Sequence, residues 1–419
     1  MQHKLQTGVS GTSMRLLPIL LLLCVGPIPA AAEPLGYRIA ATLVPQHGMM
    51  AVDVTVTLPP VQAGERVTFV VGSGFRFTRI ESAEGPHSAP RATERPWPGL
   101  QEVAFTFPRA AARPTVRMAY FGRPNPAGDL PINQVSPRLV ELSLDGMWLP
   151  ILPSLEGNFT VEAMLSGLPA DAVVAAQGEV RRPGERVLVR RAQPGFDFAF
   201  AASPSFRVVE QDGFTLFAAD PDAALPRLYR EHVASARTFL TGWFGALPGP
   251  PLRLAIVERP RRSGYARPGY IVVVDQGAPP QPVGAGKFIA HEMSHLWFAN
   301  ANATTVDRWL DESTAEYVSL RYVEQAFGAA EREAMLAAKR EEAARAPPLL
   351  AEQSGAGLYA KGPLLLFALE QRIGRARIDA LLSEVARRRI GRTADFLAAL
   401  MAIAGAADAA WFEGQLRSR

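Results

Sequence analysis

Two histidines four residues apart around a glutamate, His291-Glu292-Met293-Ser294-His295, constrain this chain more than any other feature. On a helix, positions i and i+4 share one face, so the pattern predicts a helix whose two imidazoles approach the same ion. A water-activating zinc site needs three protein ligands and one open position. Glu292, next to the first ligand, is placed to take a proton from the attacking water instead of completing the ligand set. The alternative is a helix with two ordinary satisfied histidines. That alternative leaves unexplained why two of only six histidines fall four apart around a glutamate.

The third ligand must come from elsewhere. Trp309-Leu310-Asp311-Glu312-Ser313-Thr314-Ala315-Glu316 opens a second acidic helix, and either Glu312 or Glu316 can face the ion. They lie one turn apart, so periodicity does not choose between them. Asp311 is a candidate to hold a ligand histidine in place.

Around this motif the chain divides by pattern. From Gly36 to Phe217 it reads as β-rich, with short alternating runs at 52–58, 66–71, 101–107 and 186–190 separated by proline and glycine. A turn is expected at 181–184 and a long surface loop at 81–100. After Pro221, Leu228–Phe244 spaces Tyr229, Val233, Ala236 and Leu240 on one helical face. Two strands follow at 251–258 and 270–275. Helices are then expected at 329–346, 362–373, 377–389 and 393–403. The expected fold class is multi-domain α+β, with a β-rich domain at 33–220 and a mixed, mainly helical zinc domain at 221–419.

The first 32 residues read differently. Lys4 and Arg15 precede an apolar run from Leu16 to Val25, and Ala30, Ala31 and Ala32 follow. That is the pattern of a cleaved secretory signal, too short for a membrane span of roughly 20 residues. It predicts export to the periplasm or outside the cell, with no stable span after cleavage. Richness in alanine, proline, glycine and arginine fits a GC-rich bacterial source. Cys24, the only cysteine, falls inside this segment, so disulfides and thiolate ligands are excluded from the remainder. Two of the net charges of +4 also fall there, and the other basic residues are scattered among carboxylates, as in 331–345. No basic stripe suggests a nucleic-acid partner. Nothing in the sequence sets an oligomeric state.

The motifs together resemble the M1 family of zinc metallopeptidases, the aminopeptidase N and leukotriene A4 hydrolase group. In that family HExxH is followed by eighteen residues and a glutamate ligand in a W-L-N-E-G-F-A-like sequence, which Trp309–Ala315 resembles. Trp297-Phe298-Ala299-Asn300 is similar to the W-F-G-N after the family's second histidine. The resemblance implies a thermolysin-like catalytic domain and one zinc ion held by His291, His295 and Glu312, with Glu292 as general base. Tyr359-Ala360-Lys361-Gly362 resembles the family's Y-x-K-G, which gives Tyr359 the role of oxyanion donor and Lys361 a structural one. The front half resembles the family's β domain weakly, as at Trp148-Leu149-Pro150.

Three departures accompany the resemblance. Sixteen residues, not eighteen, separate His295 from Glu312. The large C-terminal helical domain of many members has no counterpart before Arg419, which implies a more open site. In place of the G-x-M-E-N strand, whose glutamate binds a substrate's free amine, stands Gly264-Tyr265-Ala266-Arg267-Pro268-Gly269-Tyr270. Gly264, Tyr265 and Arg267 are therefore the candidate substrate-binding residues. Arg267 would repel an α-ammonium and meet a carboxylate or backbone carbonyl instead, unless it is a solvent-facing loop residue.

The expected activity is hydrolysis of peptides or peptide-like substrates, with exopeptidase or endopeptidase mode open. The alternatives are a metal-binding protein acting in binding or assembly that has lost turnover, and a β-domain protein whose motif is accidental.

Overall fold

A computed structural model describes residues 34–93, 99–124, 132–154, 158–211, 213–246, 251–260, 264–275, 277 and 281–419. The expected signal segment and Cys24 lie outside them. Pro34–Arg419 forms one compact unit.

Its front part is built from three sheets. Leu35–Val44 alternates buried and exposed side chains along its whole length, as a strand with one covered face must. It pairs antiparallel with Met49–Thr57 and parallel with Phe159–Ser166, at the centre of a seven-stranded sheet. Two smaller sheets of four and three strands accompany it. The weak resemblance at Trp148-Leu149-Pro150 falls on an anchor: Trp148 is fully buried, and the hydroxyls of Tyr120 and Tyr37 donate to the carbonyls of Trp148 and Pro150 at 2.8 and 2.7 Å. Within the expected loop at 81–100, Arg91–Ala92 adds a short strand against Leu100–Phe107, and 94–98 lie outside the described residues.

The second part opens with a five-stranded sheet ordered Arg207–Gln211, Phe214–Ala218, Leu252–Glu258, Tyr270–Asp275, Tyr265–Arg267. Its two central strands pair in parallel and are buried on both faces, hence their unbroken apolar runs. Among the described residues this part has eight α-helices, one inserted after its second strand, α1 (Ala224–Phe244), and seven after its last, α2 (Pro282–Ser294), α3 (Trp309–Phe327), α4 (Ala329–Ala343), α5 (Gly362–Ile373), α6 (Arg375–Arg388), α7 (Thr393–Ala404) and α8 (Ala406–Arg417). A β-rich part followed by a mainly helical part of thermolysin-like build is thus the observed class. The face of α1 expected from sequence is the buried one, with Tyr229, Val233, Ala236 and Leu240 in the core. The helix expected at 329–346 stops at Ala343 and tightens into i→i+3 turns at Arg345 and Ala346, ahead of Pro347 and Pro348, which have no N–H to continue it.

One face of the five-stranded sheet packs on the front part. Ala199, Ala201 and Phe206 meet Val257, Tyr270 and Val272 in a shared apolar layer. A fully buried ion pair, Arg259 to Glu141 at 2.9 Å, crosses the same boundary. The other face carries α1 and α2, so the sheet fixes where the HExxH helix stands.

Candidate metal centre and its cavity

α2 ends at Ser294, and His295 caps it while keeping helical geometry (φ −62°, ψ −13°), so both imidazoles stay on one face. Their rings lie 5.0 Å apart, nearly perpendicular. α3 crosses α2 and brings Glu312 to them, with its Oε2 at 3.6 Å from His291 Nε2 and 3.7 Å from His295 Nε2. The ligand atoms of His291, His295 and Glu312 all lie within 4.8 Å of one another.

The other side of each ligand is taken. His291 Nδ1 faces Glu316 Oε2 at 2.9 Å, and His295 Nδ1 faces the Phe298 carbonyl at 3.0 Å. These contacts turn both Nε2 atoms toward Glu312. The donor set therefore fits one zinc ion, two neutral imidazoles and a carboxylate being a usual set for it.

Glu312 and Glu316, which periodicity could not separate, have different surroundings. Glu316 is almost fully buried, held by Lys287 at 2.6 Å and by Lys339 as well as by His291. Burial opposes its ionisation, but the His291 contact and the two lysines outweigh that and hold it well below the usual carboxylate range. Glu312 is likewise held down by both histidines and by Arg308, again against burial. Burial pushes His291 downward, yet Glu312 and Glu316 raise it to about 9. Asp311 accepts from the backbone N–H groups of Asn300 and Ala301, so it pins the segment after His295 instead of holding His291. Burial pushes it up to about 6.

Glu292 lines the cavity and is mostly buried, and among the described residues no hydrogen bond or ion pair engages its carboxylate. Tyr359 sits on a wide π-type turn, Gly357–Lys361, leading into α5, and its ring lies 6.0 Å from that of His291. Burial, with the Glu312 carboxylate nearby, raises its hydroxyl well above the ordinary phenol value, so it remains a proton donor at neutral pH. Two contacts hold the turn: Ser313 Oγ donates to the Leu358 carbonyl at 2.8 Å, and Lys339 Nζ to the Tyr359 carbonyl at 2.5 Å. Lys361 points away, to the carbonyl of Ser418 at 2.6 Å, which ties the C-terminal segment to the turn.

His291, Glu292, His295, Glu312 and Tyr359 open on one cavity of about 1790 Å³, walled by both parts of the unit. The candidate substrate-binding residues lie on it too. Gly264 lets Phe288 and the Val272 carbonyl approach, since a Cβ there would stand 2.4 and 2.6 Å from them. Tyr265 is buried in the shared apolar layer. Arg267 is nearly buried: it pairs with Asp197 at 2.5 Å and Asp145 at 3.2 Å, donates to the Ala266 carbonyl, and lies over the rings of Tyr265 and Phe196. The carboxylates and the carbonyl it meets belong to its own chain.

Compared with solved structures, 94% of this chain superposes on 96% of an M1 zinc metallopeptidase from Deinococcus radiodurans, with a TM-score of 0.71 and 22% identity. The fold is that of the M1 zinc metallopeptidases. A mutant of the Deinococcus protein bound to a Tyr-Ser-Ala substrate matches with a TM-score of 0.68 at 22% identity, over 92% of this chain and 95% of that one. Leukotriene A4 hydrolase from Saccharomyces cerevisiae gives 0.68 at 12% identity, over 88% of this chain and 64% of the longer yeast chain. No protein-family model matches the sequence, and no curated protein matches it.

Proposed function

We propose that the chain is a zinc-dependent peptidase of the M1 type, in which the usual amine-anchoring glutamate of the G-x-M-E-N strand is missing. The observation that carries this reading is the unengaged Glu292 carboxylate, lining a cavity beside three convergent ligand atoms. Every other acid close to the ligands is tied down by partners. His291, His295 and Glu312 would hold one zinc ion, which would supply Lewis acidity for the scissile carbonyl and the attacking water.

The chain's own groups do the rest. Glu292 takes the proton of the attacking water and returns it to the leaving amine. Tyr359 donates to the carbonyl oxygen as negative charge develops there. The apolar run at 16–25 with the alanines after it supports export, and we place the activity in the periplasm or outside the cell.

The test is a mass-resolved digest of free, N-acetylated and longer peptides by the zinc-loaded protein, with Glu292→Gln as control. Products that depend on Glu292 support the proposal, and release of single N-terminal residues or internal cuts would fix the mode. One zinc per chain with no product from either protein would favour the binding or assembly alternative.

A further inference from the structure

One wall of the cavity carries four arginines: Arg308, Arg388, Arg389 and Arg392. Two of them stand where local physics disfavours them. Arg389 ends α6 in the left-handed region, at φ 55° and ψ 47°, a place for glycine or asparagine that strains other residues. Arg392 occupies the N-cap of α7 with no capping hydrogen bond, where the helix dipole and the free N–H groups favour an oxygen or an anion. Arg308 ends the short 3-10 turn Val306–Arg308, which Thr305 caps and which runs into α3 in helical geometry. Satisfying the C-terminal dipole of α6 accounts for Arg388, but it cannot account for the cation at the start of α7.

The fold also holds these positions together. Gly391 lies against Asn300, whose carbonyl would stand 2.0 Å from a Cβ there, and Arg389 Nε donates to Asn300 Oδ1 at 3.1 Å. Asp307, next to Arg308, accepts from the Thr393 N–H at 2.9 Å, next to Arg392. Among the described residues neither Arg389 nor Arg392 forms an ion pair within 4 Å, and both are exposed. Of the acids on this wall Asp307 is taken by Thr393 and Asp311 by backbone N–H groups, which leaves Asp395 alone unengaged. Arg308 reaches Glu312 Oε1 at 3.1 Å, so the cationic wall begins at the candidate metal site.

We infer that this wall is a carboxylate-binding lobe, through which the cavity selects peptides bearing a carboxylate at a distance from the reacting carbonyl. Arg389 and Arg392 receive it by charge-assisted hydrogen bonds, which planar guanidinium groups make in pairs. The carboxylate is either the free C-terminus of a short peptide or an acidic side chain in a longer one. The inference deepens the peptidase reading and rests on it for the word substrate, but binding alone can test it.

The experiment measures by calorimetry the affinity of the zinc-loaded Glu292→Gln protein for an alanine tetrapeptide acid, its C-terminal amide, and an amide with glutamate at the third position. The acid is expected to bind about tenfold tighter than the plain amide. That ratio is expected to collapse on replacing Arg389 and Arg392 by glutamine, and Arg392→Lys, which keeps the charge, to restore part of it. Recovery of affinity by the glutamate-bearing amide would show that the lobe also reads side chains, and failure to recover would confine it to C-terminal carboxylates. Equal affinity for acid and plain amide, or no binding of either, would overturn the inference. If the protein with Glu292 intact cleaves none of the three while the acid preference stands, the peptidase reading fails and the lobe survives.

Discussion

Glu316 Oε2 lies 2.9 Å from Nδ1 of His291, while Lys287 and Lys339 bind the same carboxylate from other helices. This contact sets which ring nitrogen of His291 faces Glu312. Replacing Glu316 by alanine frees the ring and leaves two lysines beside an emptied, nearly dry site. Zinc affinity, measured by chelator competition, is expected to fall about 10–100-fold, the usual cost of losing such a partner. Unchanged affinity would mean that the orientation of His291 is set by packing alone.

The same contacts make zinc uptake depend on pH. In the metal-free protein His291 keeps its proton to about pH 9, and a zinc ligand must shed it. Apparent affinity is expected to rise about tenfold per pH unit from 6.5 toward 9, with close to one proton released, read by titration in two buffers of different ionisation enthalpy. The stability of the metal-free protein carries the opposite sign for this group. The raised His291 contributes fully below 6.5, and that contribution is lost as pH rises through 9. Glu312 and Glu316, both held below the usual range, contribute above 4.5 and lose their share on acidification. Denaturation of the chelator-treated protein should therefore show these three groups most stabilising between about 4.5 and 6.5.

Tyr359→Phe removes one hydroxyl and keeps the ring. In the proposed role the hydroxyl donates to the carbonyl oxygen as charge develops, so kcat is expected to drop by about 10²–10³-fold with KM and zinc content little changed. An equal rise in KM with kcat intact would instead make Tyr359 a ground-state binding residue.

The helices around the site were legible because their apolar spacing survives burial, as along Tyr229, Val233, Ala236 and Leu240. What escaped is instructive. α8 buries only Ala409, Phe412 and Leu416 within an alanine-rich stretch, so its periodicity is faint. Lys339 lies in a mixed-charge helix that reads as solvated surface, yet it reaches Glu316 and the Tyr359 carbonyl. No local pattern marks Lys339 as inward-facing among the charges of its helix, since its contact with Glu316 spans more than twenty residues of sequence. Arg392 did leave a trace, as a basic residue at a helix start, but the trace has meaning only once the cavity is seen.

Gly362 completes the Y-x-K-G pattern for a packing reason. A Cβ there would stand 1.9 Å from Ser313 Oγ and 2.5 Å from Ser313 Cβ, in a buried position on α3 next to Glu312. Gly362→Ala must push α5 from α3 or turn Ser313 away from the Leu358 carbonyl that it holds. A loss of about 1–3 kcal/mol is expected in urea denaturation. Adding Ser313→Gly should return part of it by removing both clashing atoms. No recovery in the double variant would place the constraint elsewhere in the turn.

Arg267, a candidate substrate-binding residue by sequence, has surroundings that make it a strut between the two parts of the unit. Asp197 is 3% exposed, and Arg267 is its charge partner at 2.5 Å. Burial opposes the charge on Arg267, but Asp197 and Asp145 outweigh it and hold the guanidinium firmly protonated. Arg267→Met removes the cation paired with the buried Asp197 carboxylate and leaves only Arg191, which binds the Asp197 carbonyl, nearby; breaking such a pair costs up to about 3–5 kcal/mol. Replacing Asp197 by asparagine as well should recover much of that loss, because the uncompensated charge is then gone. A denaturation midpoint that stays put while KM rises would return Arg267 to the substrate, and the amine or carboxylate it meets could then be identified by comparing blocked with free peptides.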